Sequence, residues 1–482
     1  MIHKRWIGPL LGIIILTIFL VLPPAEPLTA IGMKAIGVLL FTVVWWVTVG
    51  VGYPSLICIG LLAITGVRSP EALFALSWGN YLVIFIISVF GLSECLRITG
   101  FSNRFALWFL TRPFTEGHPW IMISMLLLAT CLLGSIMSGS ATCITFMAIA
   151  TPMLAALGYK KGDRFAATLM MGIAWSGTVA FIMTPIGHGS NLMVIEWIRQ
   201  DTGFNMTFPL WMAVGVPAGL LFWLLILGYL RFVIRPDVSR FRGAAVEFVR
   251  EEQSKMGPIT AEEKLTIVIF LAVLVVWITP GFFGDLLPGI SKYFRDNMGY
   301  AVPPLIGACL MCIIRIKDKP LLNFQQWMKG VPWPTVALIA AIMIVRDILA
   351  SPDTGIPQML VNIFEPIVNN VPFFVYRVIG QFWVSIQTNL MSNSVSGALV
   401  YKALVPALIS SGIGNAVAMG FTIFAGARSG FALPSANSTC ALISGSGWVP
   451  IGFLFRHGAV LTIGIILICI FIVYPLAAFI YV

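Results

Sequence analysis

The stretch MSGSATCI, residues 137–144, lies inside a long apolar region, and MSNSVSGA, residues 391–398, lies inside another. Each clusters Ser with Gly, Thr or Asn where the flanks are mostly Leu, Ile, Val, Met, Ala and Phe. Aligned on their methionines, Met137, Ser138, Ser140, Pro152 and Leu154 match Met391, Ser392, Ser394, Pro406 and Leu408. Within the shared Met-Ser-x-Ser the copies part where Gly139 faces Asn393. Each copy is followed by a second break, TPIGHGSN at 184–191 and LPSANSTC at 433–440.

The surroundings of these breaks define the class of protein. Of 482 residues, 59% are hydrophobic and 10% charged, against about 25% charged in soluble domains. Repeated apolar runs reach the roughly 20 residues that a helix needs to cross a bilayer. The first, Trp6 to Leu22, follows MIHKR and precedes PPAEP. It lacks a small-residue cleavage site and reads as a retained span rather than a signal peptide. The formal charge of +10 is assigned to cytoplasmic loops. No basic, aromatic-studded domain accompanies it, so nucleic-acid binding is not expected. The eight cysteines are scattered through apolar runs; even the Cys309-x-x-Cys312 pair reads as buried small hydrophobes, not as a metal or disulfide framework.

Apolar runs fall near 6–22, 31–49, 54–67, 81–96, 165–183, 209–232, 265–283, 301–314, 334–349, 415–433 and 458–482. Broken apolar regions cover 120–157 and 373–410. FSNRFALWFLTRPF, 101–114, suits a helix lying at the membrane surface. The segment 233–264 carries Arg235, Arg240, Arg242, Glu247, Arg250, Glu251, Glu252, Lys255, Glu262, Glu263 and Lys264 and reads as a solvated linker. A cytoplasmic N-terminus puts most Lys and Arg inside if both broken regions are re-entrant hairpins; Lys292 and Arg295 run against this. The reading is an all-α polytopic membrane protein with eleven spans, two re-entrant hairpins in an inverted repeat, and a C-terminus outside.

Breaking a helix inside hydrocarbon strands N–H and C=O groups at several kcal/mol each. It is tolerated where the freed backbone lines a cavity. Half-helix N-termini then face anions, while unwound carbonyls and hydroxyls hold sodium. One cluster of small residues would read as helix packing; four placed symmetrically read as a transport site. The residues expected to line it are Ser138, Gly139, Ser140, His188, Gly189, Ser190, Asn393, Ser394, Asn437 and Ser438.

The layout resembles the divalent anion:sodium symporter family, which includes the "I'm not dead yet" dicarboxylate transporters. The resemblance extends over nearly the whole chain, through PSLICIGLLAITGVRSPEALFAL at 54–76 and FGLSECLRITGFSNRFALWFL at 90–110. It implies a homodimeric elevator in which a scaffold holds the dimer and a transport domain carries anion and sodium. The implied division is scaffold 1–118, transport domain 119–232, charged cytoplasmic linker 233–264, scaffold 265–372 and transport domain 373–482. It also implies a second-half sodium site from Thr388, Ser392, Asn393 and Ala436. Its first-half counterpart, Ser138, Gly139 and Gly187, is expected to be weak or lost. The family carries Ser-Asn-Thr at each hairpin tip and a Thr-Pro-Pro type turn in each unwound helix. Here the first tip is Ser138-Gly139-Ser140, and His188-Gly189-Ser190 and Asn437-Ser438-Thr439 replace the turns, with Cys440 where the family has Asn.

Ionisable residues at membrane depth are functional candidates, since each costs at least about 2.5 kcal/mol to insert. Arg428 is expected to touch substrate; Arg428, Lys402 and His188 are each candidates to replace a sodium ion. Glu94, Arg346 and Asp347 fall in the implied scaffold and are left out of the site. The expected function is secondary-active transport of small anions, most readily dicarboxylates, across the cytoplasmic membrane, with sodium coupling through the second half. Sodium-independent exchange and proton coupling through His188 remain open. An anion channel and a membrane-embedded hydrolase are distant alternatives, the latter without a nucleophile motif. No cofactor is expected beyond sodium ions, and the partners are a small anion, the bilayer and a second copy of the chain.

Overall fold

The computed structural model describes residues 2–241, 244–282 and 288–482; Arg242 of the charged linker lies outside them. The described chain is almost entirely helical, with a single two-residue antiparallel ribbon pairing Arg315–Ile316 with Lys319–Pro320. Among the described residues, eight helices are long and apolar enough to cross a membrane: Ala30–Thr48, Tyr81–Ile98, Gly139–Ala156, Arg164–Ile182, Phe208–Ile234, Trp333–Ala350, Asn393–Ser411 and Ile451–Ile480. Four further apolar helices are shorter, Trp6–Val21, Gly52–Ile64, Pro119–Gly134 and Val302–Ile313. Two of the eight, Gly139–Ala156 and Asn393–Ser411, belong to the broken regions. Each of the eleven apolar runs contains a helix, among them Ala261–Phe282 and Ala416–Gly426.

The two broken regions fold as helix–break–helix. In the first, Pro119–Gly134 stops, residues 135–138 turn, and Gly139–Ala156 begins with Ser138 as its N-cap, accepting from the Ala141 N–H at 3.2 Å. In the second, Phe373–Leu390 gives way at Met391 and Ser392 to Asn393–Ser411. The following helices also stop short. Arg164–Val179 passes through a 3-10 turn at Ala180–Ile182 into an irregular stretch containing Pro185, and Gly189–Thr202 resumes. Ala416–Gly426 passes through Ala427–Ser429 into an irregular stretch containing Pro434, and Ser438–Gly445 resumes. Proline cannot donate a backbone bond, so it marks both interruptions.

Polar side chains hold these irregular stretches in place. Asn389 accepts from the Phe431 and Ala432 N–H groups and donates to the Ser385 and Ser429 carbonyls. Asn191 donates to the Phe181 and Thr184 carbonyls, at 2.5 and 2.9 Å. Buried backbone groups must be paired somewhere, and here amides on neighbouring helices replace the missing helical bonds. The helix Arg164–Ile182 is wholly buried, and the Trp175 indole donates to the Phe431 carbonyl, tying the two halves together.

The charged linker holds a helix, Ala244–Lys255, with Lys255 paired to Glu251 and Glu252. Arg104, on the Phe101–Leu110 helix, pairs at 2.8 Å with buried Glu263 and fastens the linker's far end. All eight cysteines are free.

Candidate functional site

Both tips and both irregular stretches meet around one cavity of about 630 Å³, within the usual range for small-molecule sites. Its polar side is built from Ser138, Gly139, Ser140, Gly187, His188, Gly189, Ser392, Asn393, Ala436, Asn437 and Ser438. The two halves touch directly there, Ser140 Oγ donating to Ser438 Oγ at 2.9 Å. The opposite side is largely apolar: Trp46, Val47, Phe85, Ile86, Val89 and Pro334 among others. The lining residues include no acidic side chain.

Four helices begin at this cavity, at Gly139, Gly189, Asn393 and Ser438. The first N–H groups of a helix lack intrahelical partners and carry the positive end of its dipole. Four such ends with no acid in the wall make the cavity electropositive and suited to a small anion. Three of the four are partly capped from within. Ser138, His188 and Asn437 each accept from a backbone N–H of their own helix. Ser392 makes no such bond, which leaves the second tip the more open donor.

His188 and Asn437 occupy corresponding places in the two stretches and perform the same local task. His188 Nδ1 accepts from the Ser190 N–H at 3.3 Å and lies 2.9 Å from Ser190 Oγ. Arg428 donates to that Oγ at 3.0 Å. The hydroxyl proton is thus free to point at Nδ1, which places the ring proton on Nε2. The histidine enters the cavity wall as a hydrogen-bond donor.

Four of the expected residues do not line the cavity: Ser190, Ser394, Thr388 and Arg428. Each is buried directly behind a residue that does, or on the same tip. Thr388 Oγ lies 2.9 Å from Asn393 Oδ1 and 2.8 Å from the Ala427 carbonyl. Ser190 supports His188. Arg428 is fully buried and donates to Ser190 Oγ and, at 2.5 Å, to Asn191 Oδ1. Arg428, expected to touch substrate, sits behind the residues that line the cavity. Its guanidinium carbon lies 6.0 Å from the centre of the Phe181 ring, which lines the cavity.

Lys402 has no part in this site. Its ammonium lies 3.0 Å from Asp201 and 4.8 Å from the Trp197 ring. Arg346 reaches the same carboxylate at 3.5 Å. Glu94 pairs with Arg97, and Asp347 lies 3.8 Å from Arg68.

Phe181 is the site residue that sequence reasoning missed. Its ring lines the cavity, lies 5.0 Å from the His188 ring, and fills the space beside Gly139. A Cβ at position 139 would lie 2.6 Å from Phe181 Cε1 and closer still to Cζ. The glycine in the first tip is the complement of that ring. No local pattern signals it, because the contact joins two helices.

Comparison with known proteins agrees with this architecture. A family model described as the sodium:sulfate symporter transmembrane region matches residues 3–479. The sodium-dependent dicarboxylate transporter SdcS of Staphylococcus saprophyticus is 22% identical, over 97% of this chain and 90% of its own. An uncharacterized transporter of Haemophilus influenzae is 22% identical over 98% of this chain and 96% of its own. The SdcS protein of Staphylococcus aureus USA300 is 21% identical over 97% and 89%. With the family model spanning almost every residue, the chain is a multi-pass membrane transporter, not an enzyme, and belongs to the sodium:sulfate symporter family of divalent anion:sodium symporters.

Proposed function

We propose that this protein is a secondary-active carrier of small anions, dicarboxylates foremost, that uses sodium through its second half. The observation that carries the reading is the cavity itself: four helix N-termini converge on it, and no acidic side chain lines it. Dicarboxylate transport by SdcS relatives of similar length supports the substrate class.

The second half also supplies a cradle of hard oxygens, the donor type that sodium takes. Thr388 Oγ, Asn393 Oδ1 and the Ala427 carbonyl lie within hydrogen-bond distance in sequence, yet share one hydroxyl proton. The one hydroxyl proton can serve only one of the two acceptors, which leaves a lone pair of the other for a cation. The Thr388 carbonyl lies beside the same pocket, 3.1 Å from where a Cβ on Gly430 would sit, and Asn393 Oδ1 lies 2.8 Å from it. Asn393 Nδ2 has no partner among the described residues. Its amide can therefore turn an oxygen to a cation and hydrogen to a carboxylate.

The two unlike walls support an elevator motion. Polar tips and turns would move together, as the transport parts 119–232 and 373–482, against an apolar wall from 1–118 and 265–372. In this reading two copies associate through the scaffold, the N-terminus is cytoplasmic and the C-terminus is outside.

Purified protein in liposomes, offered succinate, malate, citrate and sulfate with and without a sodium gradient, tests the reading. Saturable, sodium-stimulated succinate uptake with counterflow is expected. Unsaturable flux, or transport of none of these anions, overturns it. A finer test is Gly430→Ala. Its methyl would push on Asn393 Oδ1 and the Thr388 carbonyl and cost about 1 kcal/mol of side-chain strain. The sodium concentration for half-maximal uptake should rise about 5- to 10-fold, with the protein still monodisperse. An unchanged sodium titration would remove Gly430 from the cradle.

A further inference from the structure

We infer that Arg428 is a resident cation standing in for a transported sodium ion, with Phe181 closing the first-half cation position, so that sodium couples through the second half alone. This rests on the anion-carrier reading above.

The two halves are built as reciprocal pairs. Aligned on Pro185 and Pro434, Phe181 corresponds to Gly430; aligned on the tips, Gly139 corresponds to Asn393. In the second half Asn393 Oδ1 fills the space that Gly430 leaves open. In the first half the Phe181 ring fills the space that Gly139 leaves open. Each half has room for an amide or a ring at this junction, not both. The ring replaces the one side-chain oxygen that the second-half cradle owes to its tip.

The remaining first-half oxygens are already engaged. A Cβ on Gly187 would lie 2.8 Å from the Phe181 carbonyl and 3.1 Å from the Ser135 carbonyl. The first of these carbonyls accepts from Asn191 Nδ2 and the second from Thr184 Oγ. The Thr184 carbonyl accepts from Asn191 as well. In contrast to the second half, every one of these oxygens has its own proton to accept.

A positive charge is nonetheless present. Arg428 is fully buried, and among the described residues no carboxylate lies within 4.0 Å of it. Its Nε and Nη1 groups have no partner among the described residues. The neutral Ser190 and Asn191 satisfy only Nη2, and the guanidinium carbon lies 6.0 Å from the Phe181 ring centre. A buried charge without a counter-charge is strongly unfavourable. Here the missing counter-charge is the anion in the adjoining cavity. A dianion meets one charge from Arg428 and one from a sodium ion in the second half.

Sodium titration of succinate uptake, on the unmutated protein and on Arg428→Lys and Arg428→Gln, tests this. The unmutated protein should give a Hill coefficient near one. A unit charge ~8 Å from one carboxylate, at an effective dielectric of ~20, contributes about 2 kcal/mol and shifts binding about 30-fold. Arg428→Gln should therefore raise the succinate KM about 30-fold or more, with sodium cooperativity unchanged and the maximal rate affected far less. Arg428→Lys, which keeps the charge, should stay within a few-fold. A Hill coefficient of two or above, transport without sodium dependence, or equal loss in the Lys and Gln variants overturns the inference while leaving the carrier reading intact. Failure of the unmutated protein to transport any anion overturns both.

Discussion

Asn393→Gly is expected to lower sodium-driven succinate uptake by at least about 100-fold. The substitution gives the second tip the residue that the first tip already has. Asn393 opens the helix Asn393–Ser411, lines the cavity, and sets its Oδ1 2.9 Å from Thr388 Oγ. Its Nδ2 has no partner among the described residues and is available to an anion at the open second tip. A hydrogen bond to a charged group contributes about 1.5–3 kcal/mol. Losing one to the cation and one to the anion removes about 3–6 kcal/mol, which is at least about 100-fold. The loss should be steepest at low sodium, because half of it concerns the cradle. The fold should survive, since Thr388 keeps its bond to the Ala427 carbonyl. Uptake measured at low and saturating sodium decides the matter. Activity within about 3-fold of the unmutated protein at both would mean that the tip amide holds neither ion.

The first half shows why the same substitution has different meaning at its partner position. Gly139→Asn would not restore a sodium ligand, because Phe181 occupies the place of the side chain. That dependence could not be read from the sequence. Clusters of Ser, Gly and Asn in apolar surroundings announced two tips and two turns, and the structure brings all four to one cavity. Composition was enough there, because a polar break in hydrocarbon has few physical purposes. Which side chain fills which gap is decided by packing between distant helices, and a phenylalanine at 181 looks like any other apolar residue. The two membrane-depth cations were equally ambiguous. Lys402 and Arg428 differ only in their neighbours: one faces Asp201, the other faces none among the described acids. Asp201 itself sits in RQDTGFN, at the end of the Gly189–Thr202 helix, and a sequence reader takes it for a loop charge. His188 was legible as a member of the site, but its capping role depends on backbone direction, which composition does not carry.

The contrast between the two cations gives the second large prediction. Lys402→Met should destabilise the protein by about 3 kcal/mol without altering the cavity. Lys402 and Asp201 are nearly buried, with side chains 8% and 16% exposed. The carboxylate also accepts from the Tyr401 hydroxyl at 3.1 Å. Removing one partner of a buried pair leaves a charge without compensation and typically costs 3–5 kcal/mol. The lower end applies because Arg346 remains 3.5 Å from Asp201. Thermal unfolding in detergent should show a clear fall in Tm for Lys402→Met. The double variant Asp201→Asn/Lys402→Met should regain most of the loss, because it removes the stranded charge. A single variant that melts with the unmutated protein would show that Arg346 alone neutralises the carboxylate. A double variant that melts lower than the single would show that the pair acts through packing against Trp197. Stability should fall here while sodium titration and succinate KM stay as they were. Arg428→Gln, with no acid to strand, should move KM far more than Tm. Measuring both quantities on both variants therefore separates a cation that holds the fold from one that serves the anion.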